Sequence, residues 1–437
     1  MKSSHTRRAY FMSGASAFER PDNGPFRCNI AKSEFERRRF KMGGAGGGAQ
    51  SLSAAQKAQM QDAQATRAII AQAQPIIQDT VHYGISGNNA AQGQVLNFPL
   101  NNVGLNTKLT IEVSGTIAAA STETLTKTFF GLANFFTNIS LTDLSNFQRV
   151  NTTGWHLFLL GCMRKQQIYG ASYLTDTPVA MGSNFLVCNQ PISVSPAGSQ
   201  NFRFFFELPL AFHENQDLRG SIWANVTGAQ WRLGLTINPN IVLPSTSTDQ
   251  LNGCWISNSS SNIGIVSAIN ITVYQHYYDQ LPVSGSQQIL PTLSLAYNYM
   301  LINTVGSSAL AASSDNPVQY SNFRTYYSTV AIFDNAGTYN AGSDVNYIAV
   351  QSANLIYLTR FDPFMASLMA RNWIGDDPPK GVYLLNHRRR PVATNQYGNM
   401  QFILNPSSVS AGATLQMAYE MLAIQSQAVN AGSLAAM

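Results

Sequence analysis

Charge is what this sequence has least of. Asp, Glu, Lys and Arg make up 11% of the 437 residues, less than half of the roughly 25% usual in soluble proteins. Apolar residues, at 45%, are ordinary, so the polar surface has to be built mostly from Ser, Thr, Asn and Gln. Such a surface has little self-repulsion to keep copies apart, and it points to a protein that assembles with itself. Cysteine is scarce too. Cys28, Cys162, Cys188 and Cys254 form no CxxC pair and no framework spacing, so a disulfide scaffold is excluded and free, buried thiols are expected. No run approaches the ~20 apolar residues of a membrane span, the longest being "LFLLGCM" at 157–163. The N-terminus is basic but lacks a continuous apolar core, which argues against a signal peptide and for synthesis and folding in a cytoplasm.

What charge there is lies unevenly. Residues 1–41 hold ten Lys/Arg and four Asp/Glu, a net of +6, while 42–437 carry a net of −1. A basic head of this kind can bind nucleic acid or an anionic membrane surface. It reads equally as a disordered tail, or as residues never translated because Met42 is the start.

Residues 43–51, "GGAGGGAQS", form a Gly-rich hinge that does not match GxGxxG and follows no strand, so it is no phosphate cradle. After it comes a long helical pattern over 52–74, rich in Ala and Gln, with Ser51 or Ser53 as N-cap and Pro75 as its stop. Its apolar stripe is thin (Leu52, Ala55, Met60, Ala63, Arg67, Ile70), which suits a helix lying across a surface or partner. From about residue 80 the period becomes two. Phe202, Phe204, Phe206 and Leu208 share one face, as do Trp231, Leu233, Leu235 and Ile237; Ile269, Ile271 and Val273; and Leu415, Met417, Tyr419 and Met421. These are half-buried antiparallel strands, and the long Ser/Thr/Asn/Gly connections between them favour Greek-key sandwiches. "YDQLPVSGSQQILP" at 278–291 breaks the pattern, so the expected organisation is a basic extension and hinge (1–51), a helix (52–79), β domains at 80–283 and 284–425, and a tail (426–437). The halves show no sequence repeat, so a duplication would be one of fold alone.

Candidate chemistry is thin. His156, Cys162 and Asp176 lie near one another in sequence, but "GWHLFLL" reads as strand and nothing forms a nucleophile elbow. The six histidines make no HxH or HExxH. Glu207, Glu214 and Asp217 could supply a glycosidase pair, but they read as an outward strand residue and loop residues. "DNAGTYNAGSDV" at 334–345 has Ala336, Thr338 and Val345 where an EF-hand needs ligands, so it is expected to be a turn. "NHRRRP" at 386–391, with Arg388, Arg389 and Arg390, reads either as a solvated turn or as an assembly contact with Asp376 and Asp377 of "GDDPP", on the same or a neighbouring subunit.

"YYSTVAIFDNAGTYNAGSDVNYIAV" (326–350) resembles a segment of the major capsid proteins of tectiviruses, the PRD1-like membrane-containing icosahedral bacteriophages. "TTGWHLF", "LTDTPVAMG", "WANVTGAQWRLGLTI", "ITVYQHYYDQLPV", "PKGVYLLN", "QYGNMQFILNP" and "LQMAYEM" resemble that family in the same order, over most of 52–433. The resemblance implies an all-β double jelly roll, two eight-stranded antiparallel sandwiches with an N-terminal α-helix. It implies homotrimers that form pseudo-hexagonal capsomers over an internal membrane, with penton and minor capsid proteins as further partners in a virion capsid. No cofactor, no reaction and no sequence-specific nucleic-acid binding are implied. The helix would sit at the base, with Lys57 and Arg67 towards the membrane, and the long loops would form outer towers. "MGGAGGGAQSLSAAQ" resembles a complete family N-terminus, hence the expectation that translation starts at Met42. The rival reading from another class is a secreted carbohydrate-binding sandwich or glycosidase. A capsid spike or receptor binder is a third.

Overall fold

The structure is a computed structural model and describes residues 53–128, 130–165, 187–189, 191–247, 253–260, 264–305, 310–322, 324–335, 345–352, 357–374, 381–388, 391–394 and 399–424. Helix α1 (Ala54–Gln72) runs almost directly into strand β1 (Gln74–Ile85). Strand structure thus begins before residue 80, and Pro75 lies inside β1. Proline is tolerated there because β1 is an end strand whose outer N–H groups need no partner.

Seven principal strands follow in the first half, with short strands of two or three residues between some of them: β2 (Val95–Pro99), β3 (Leu105–Ala118), β4 (Phe136–Thr142), β5 (Gln148–Thr152), β6 (Ser199–Pro209), β7 (Arg232–Ile237) and β8 (Ile265–Asp279). Their principal order in the two sheets is β1-β8-β3-β6, extended beyond β6 by the short strand Val187–Asn189, and β2-β7-β4-β5. Phe202, Phe204, Phe206, Leu233, Leu235, Ile269, Ile271 and Val273 all point between them and are buried, as the period-two pattern requires. Phe204 packs edge-on against Phe135 and Phe206, with ring centroids 5.4 and 5.2 Å apart.

The second half repeats this plan with β9 (Tyr297–Val305), β10 (Asn316–Gln319), β11 (Arg324–Asp334), β12 (Val345–Ser352), β13 (Tyr357–Phe361), β14 (Val382–Asn386), β15 (Met400–Pro406) and β16 (Thr414–Ile424). Its sheets are ordered β9-β16-β11-β14 and β10-β15-β12-β13. Numbered within each half, both read 1-8-3-6 and 2-7-4-5, the order of a jelly roll. Each half also has a helix between its fifth and sixth strands, α2 (Gly154–Lys165) and α3 (Pro363–Ile374).

Helix α2 corrects the strand reading of "GWHLFLL". The Thr153 hydroxyl accepts the N–H of His156 at 3.3 Å, an N-cap, and the segment is apolar all round because it is buried all round. Gly154 lets its first turn approach a 3-10 helix, Gly131–Phe135: a Cβ there would lie 2.4 Å from the carbonyl oxygen of Ala133.

The two rolls share a sheet, because β5 and β9 pair in parallel through Leu301↔Val150 and Ile302↔Asn151. They also share a core, since Val330, Ile332, Val382, Leu384 and Ala418 from the second roll belong to the first roll's apolar cluster. Tyr326, Phe333, Leu415, Met417 and Tyr419 face the second roll's own cluster. The sheet β9-β16-β11-β14 is therefore covered on both sides.

Candidate assembly surfaces

Helix α2 occupies the junction between the rolls. It seats on β4 and β6 of its own roll and reaches β11 and β16 of the other. Arg164, in its last turn, donates through Nη2 to the carbonyls of Ala211 and Phe212, at 2.9 and 3.0 Å. Across the junction Arg388 donates to Oε1 of Glu420, and the Ser328 hydroxyl donates to Oε2 at 2.6 Å. Glu420 is 1% exposed. Burial pushes its carboxyl up to about 8, with Arg164 opposing, and burial, reinforced by Arg164, takes the Arg388 guanidinium down to about 10.

Beside these groups lies a cleft of about 320 Å³ lined by Lys108, Arg164, Glu207, His213, Glu214 and Arg388. Lys108 lies 3.3 Å from Glu207 and 3.2 Å from Glu214. Those two carboxylates, the nearest thing to a glycosidase pair in the sequence, are thus held by one lysine, while Asp217 is taken by Arg219 at 2.6 Å. His156 is fully buried with its pKa well below the ordinary value through desolvation, as suits a packed imidazole. Asp176 lies outside the described residues. Among the described residues no group of His, Cys, Asp and Glu could hold a metal ion.

Of the arginines read as assembly contacts, Arg388 faces Glu420 inside the chain. Arg389, Arg390, Asp376 and Asp377 lie outside the described residues, as do residues 336–344, expected to be a turn, and 43–51, expected to be a hinge. Sequence reasoning missed Glu420 and Arg164. Glu420 stands opposite the apolar face of "TLQMAYEM", and parity alone turns it towards solvent; only the other roll buries it.

Helix α1 is attached to the rolls by its C-terminal half. Ala65, Thr66 and Ile69 are buried, Ile69 fully, against Leu105, Leu218, Tyr278, Leu281 and Leu295. The expected stripe is corrected accordingly: Met60 is 50% exposed and Ala55, Ala63 and Arg67 are exposed, because only two turns of the helix meet a partner. Upstream, Asp62 accepts the N–H groups of Leu293 and Ser294, at 2.8 and 3.1 Å, and the Ser294 hydroxyl at 2.6 Å. Lys57 and Arg67 are both exposed. No helix among the described residues is long and apolar enough to cross a membrane.

Among the described residues helix α3 carries three exposed large apolar side chains within five positions. It seats on β12, β13 and β14, yet Phe364 is 76%, Leu368 41% and Met365 39% exposed.

Comparison with known proteins agrees with this architecture. Residues 47–281 match the family model of the P3 major capsid protein N-terminal region, and 296–436 that of its C-terminal region. The major capsid protein P3 of Enterobacteria phage PRD1 is 32% identical over 381 residues, covering 87% of this chain and 95% of the relative. The crystal structure of the STIV MCP superposes with a TM-score of 0.57 at 10% identity, over 83% of this chain and all of that one. The atomic structure of Sulfolobus turreted icosahedral virus gives 0.53 at 11%, over 83% and 94%. At such low identities these two likenesses speak for the double jelly-roll fold alone. By family models spanning most of its length and by its relative in PRD1, the chain belongs to the P3 major capsid protein family and is a structural protein of a viral capsid.

Proposed function

We propose that three copies of the chain form a pseudo-hexagonal capsomer, and that these capsomers tile the shell of a tailless, membrane-containing double-stranded DNA bacteriophage, assembled from protein made in the host bacterial cytoplasm. The observation that supports this reading is the doubled plan of the fold. Two rolls with one strand order and one helix position are near-equivalent building units, and three chains then supply six of them. A closed ring of this kind needs large obligate contacts, of order 2,000 Å² or more, and a chain with only 11% charged residues presents little repulsion against forming them.

Helix α1 is placed in this reading at the base of the capsomer, with Lys57 and Arg67 towards the internal membrane. Basic side chains near an anionic bilayer contribute about 1 kcal/mol each. Penton and minor capsid proteins are the further partners. The native mass tests the reading: a species near three times the 47.6 kDa chain is expected, and a monomer at micromolar concentration would overturn it.

A further inference from the structure

The cleft between the rolls of one chain gathers more positive charge than its own carboxylates balance. Arg164, in the last turn of α2 on the first roll, and Arg388, two residues beyond β14 on the second, line the same space of about 320 Å³. They lie close enough that, after burial, the charge of Arg164 is what most loosens the proton of Arg388. Lys108 is the third cation of the cleft, 3.3 Å from Glu207 and 3.2 Å from Glu214. Glu420 accepts from Arg388 but keeps its own proton up to about pH 8, so at neutral pH three cations face two ionised carboxylates. Like charges brought together out of water are costly unless a counter-charge reaches them. Leu157, Leu160 and Pro209 line an adjoining recess with Arg164 and Glu207. Beside such apolar walls the attraction of a guanidinium for an anion is stronger than in water.

We propose that this cleft binds a small tetrahedral oxyanion of the phosphate and sulfate class, held between the guanidinium groups of Arg164 and Arg388 with Lys108 at its edge, so that the ion ties one roll to the other. A guanidinium presents paired N–H donors that match two oxygens of such an ion, which a lysine cannot do. Two guanidiniums on different rolls offer it donors from both sides of the junction. The volume admits the ion with part of its water shell, and water can carry the contacts that the side chains do not make directly. Glu207 and Glu214, drawn to Lys108, leave the two arginines as the groups that face the anion. Every residue of the site belongs to one chain, so the site does not depend on the ring of three.

Equilibrium dialysis of the purified protein against radiolabelled sulfate, at an ionic strength held constant with sodium chloride, tests this. One sulfate per chain, bound saturably and displaced by inorganic phosphate, is expected; wild-type protein without saturable binding would overturn the site. Glycerol 3-phosphate distinguishes the sources of the anion. Displacement by it supports a phosphate group carried on a larger molecule, and failure to displace supports the free ion, the site standing in both cases. Arg388→Lys keeps a positive charge beside Glu420 but removes the fork. It should weaken sulfate about ten-fold or more, as loss of a charge-assisted hydrogen bond does, with an unchanged circular dichroism spectrum. Sulfate bound undiminished in this variant would be an adventitious ion only, and would overturn the site. Should the variant fail to fold, wild-type crystals soaked in selenate decide. The anomalous signal of selenium is expected between Arg164 and Arg388, and a signal elsewhere or none would overturn the proposal.

Discussion

Glu420 sits between Arg388, Ser328 and Arg164, itself buried beside their cleft, and its titration opposes that of His387 and His276. In the unfolded chain its carboxyl ionises near the ordinary 4.5, in the fold only near 8. Between those values the folded state keeps a proton that the unfolded state has released. The stability this group contributes is complete below about pH 4.5 and is lost as pH rises through about 8. His387 runs the other way. Burial takes it from 6.5 to about 4, so stability present above about pH 6.5 is lost as pH falls through about 4. His276 is brought to about 4 by burial and by the charge of Lys108, and acts in the same sense. Glu420→Gln should therefore flatten the alkaline limb of the stability profile and His387→Gln the acid limb, each by up to about 1.4 kcal/mol per pH unit. Urea unfolding between about pH 4 and about pH 9 checks both. An alkaline limb that survives in Glu420→Gln would show that another group sets it.

At the scale of single elements, helix α1 is the piece with least to hold it. Two buried turns and the Asp62 carboxylate attach it, while the rolls hold themselves by continuous sheets. Elements with few buried contacts open at a lower free energy than the global transition. Asp62→Ala removes a cap on the turn Thr292–Leu295, a change that costs about 1 kcal/mol, so cleavage of α1 in limited proteolysis should accelerate roughly five-fold while β3 and β15 stay protected. Equal cleavage in both forms would mean that Ile69 alone docks the helix.

The elements also show what the sequence could and could not disclose. Strands with one dry and one wet face, such as β6, β7 and β8, were legible from alternation alone, and α1 from its Ala/Gln composition. Helix α2 was not, because a short run that is apolar on every side has no period to read; its one signal was Thr153 three residues ahead of His156. Helix α3 had a better signal that went unread: Asp362 followed by Pro363, a cap and a first-turn proline, with Asp362 accepting the N–H of Met365 at 2.7 Å. The junction residues Arg164 and Glu420 were beyond reach for another reason. They face each other across the junction from different rolls, and no local pattern in either stretch signals the other.

At the scale of the whole molecule, the question is whether two rolls with one plan behave as two domains. Their sheets are continuous through β5 and β9. Val330, Ile332, Val382, Leu384 and Ala418 fill the first roll's core from the second, and α2 has no solvent-facing side on which a separated first roll could rest. Pulling the rolls apart would expose those side chains, at roughly 25 cal/mol per Å² of apolar surface, and would take Arg164 away from the Glu420 and Arg388 pair of the second roll. The expected outcome is a single cooperative unfolding transition, in which the amides of β3 in the first roll and β15 in the second exchange at the same limiting free energy. Leu160→Ala, in α2, should then lower both by the same amount, about 2–5 kcal/mol. Hydrogen exchange followed by mass spectrometry reads the two strands separately in one experiment. A variant that loosens β3 and leaves β15 unchanged would make the rolls independent folding units, and the shared core a contact formed after each has folded.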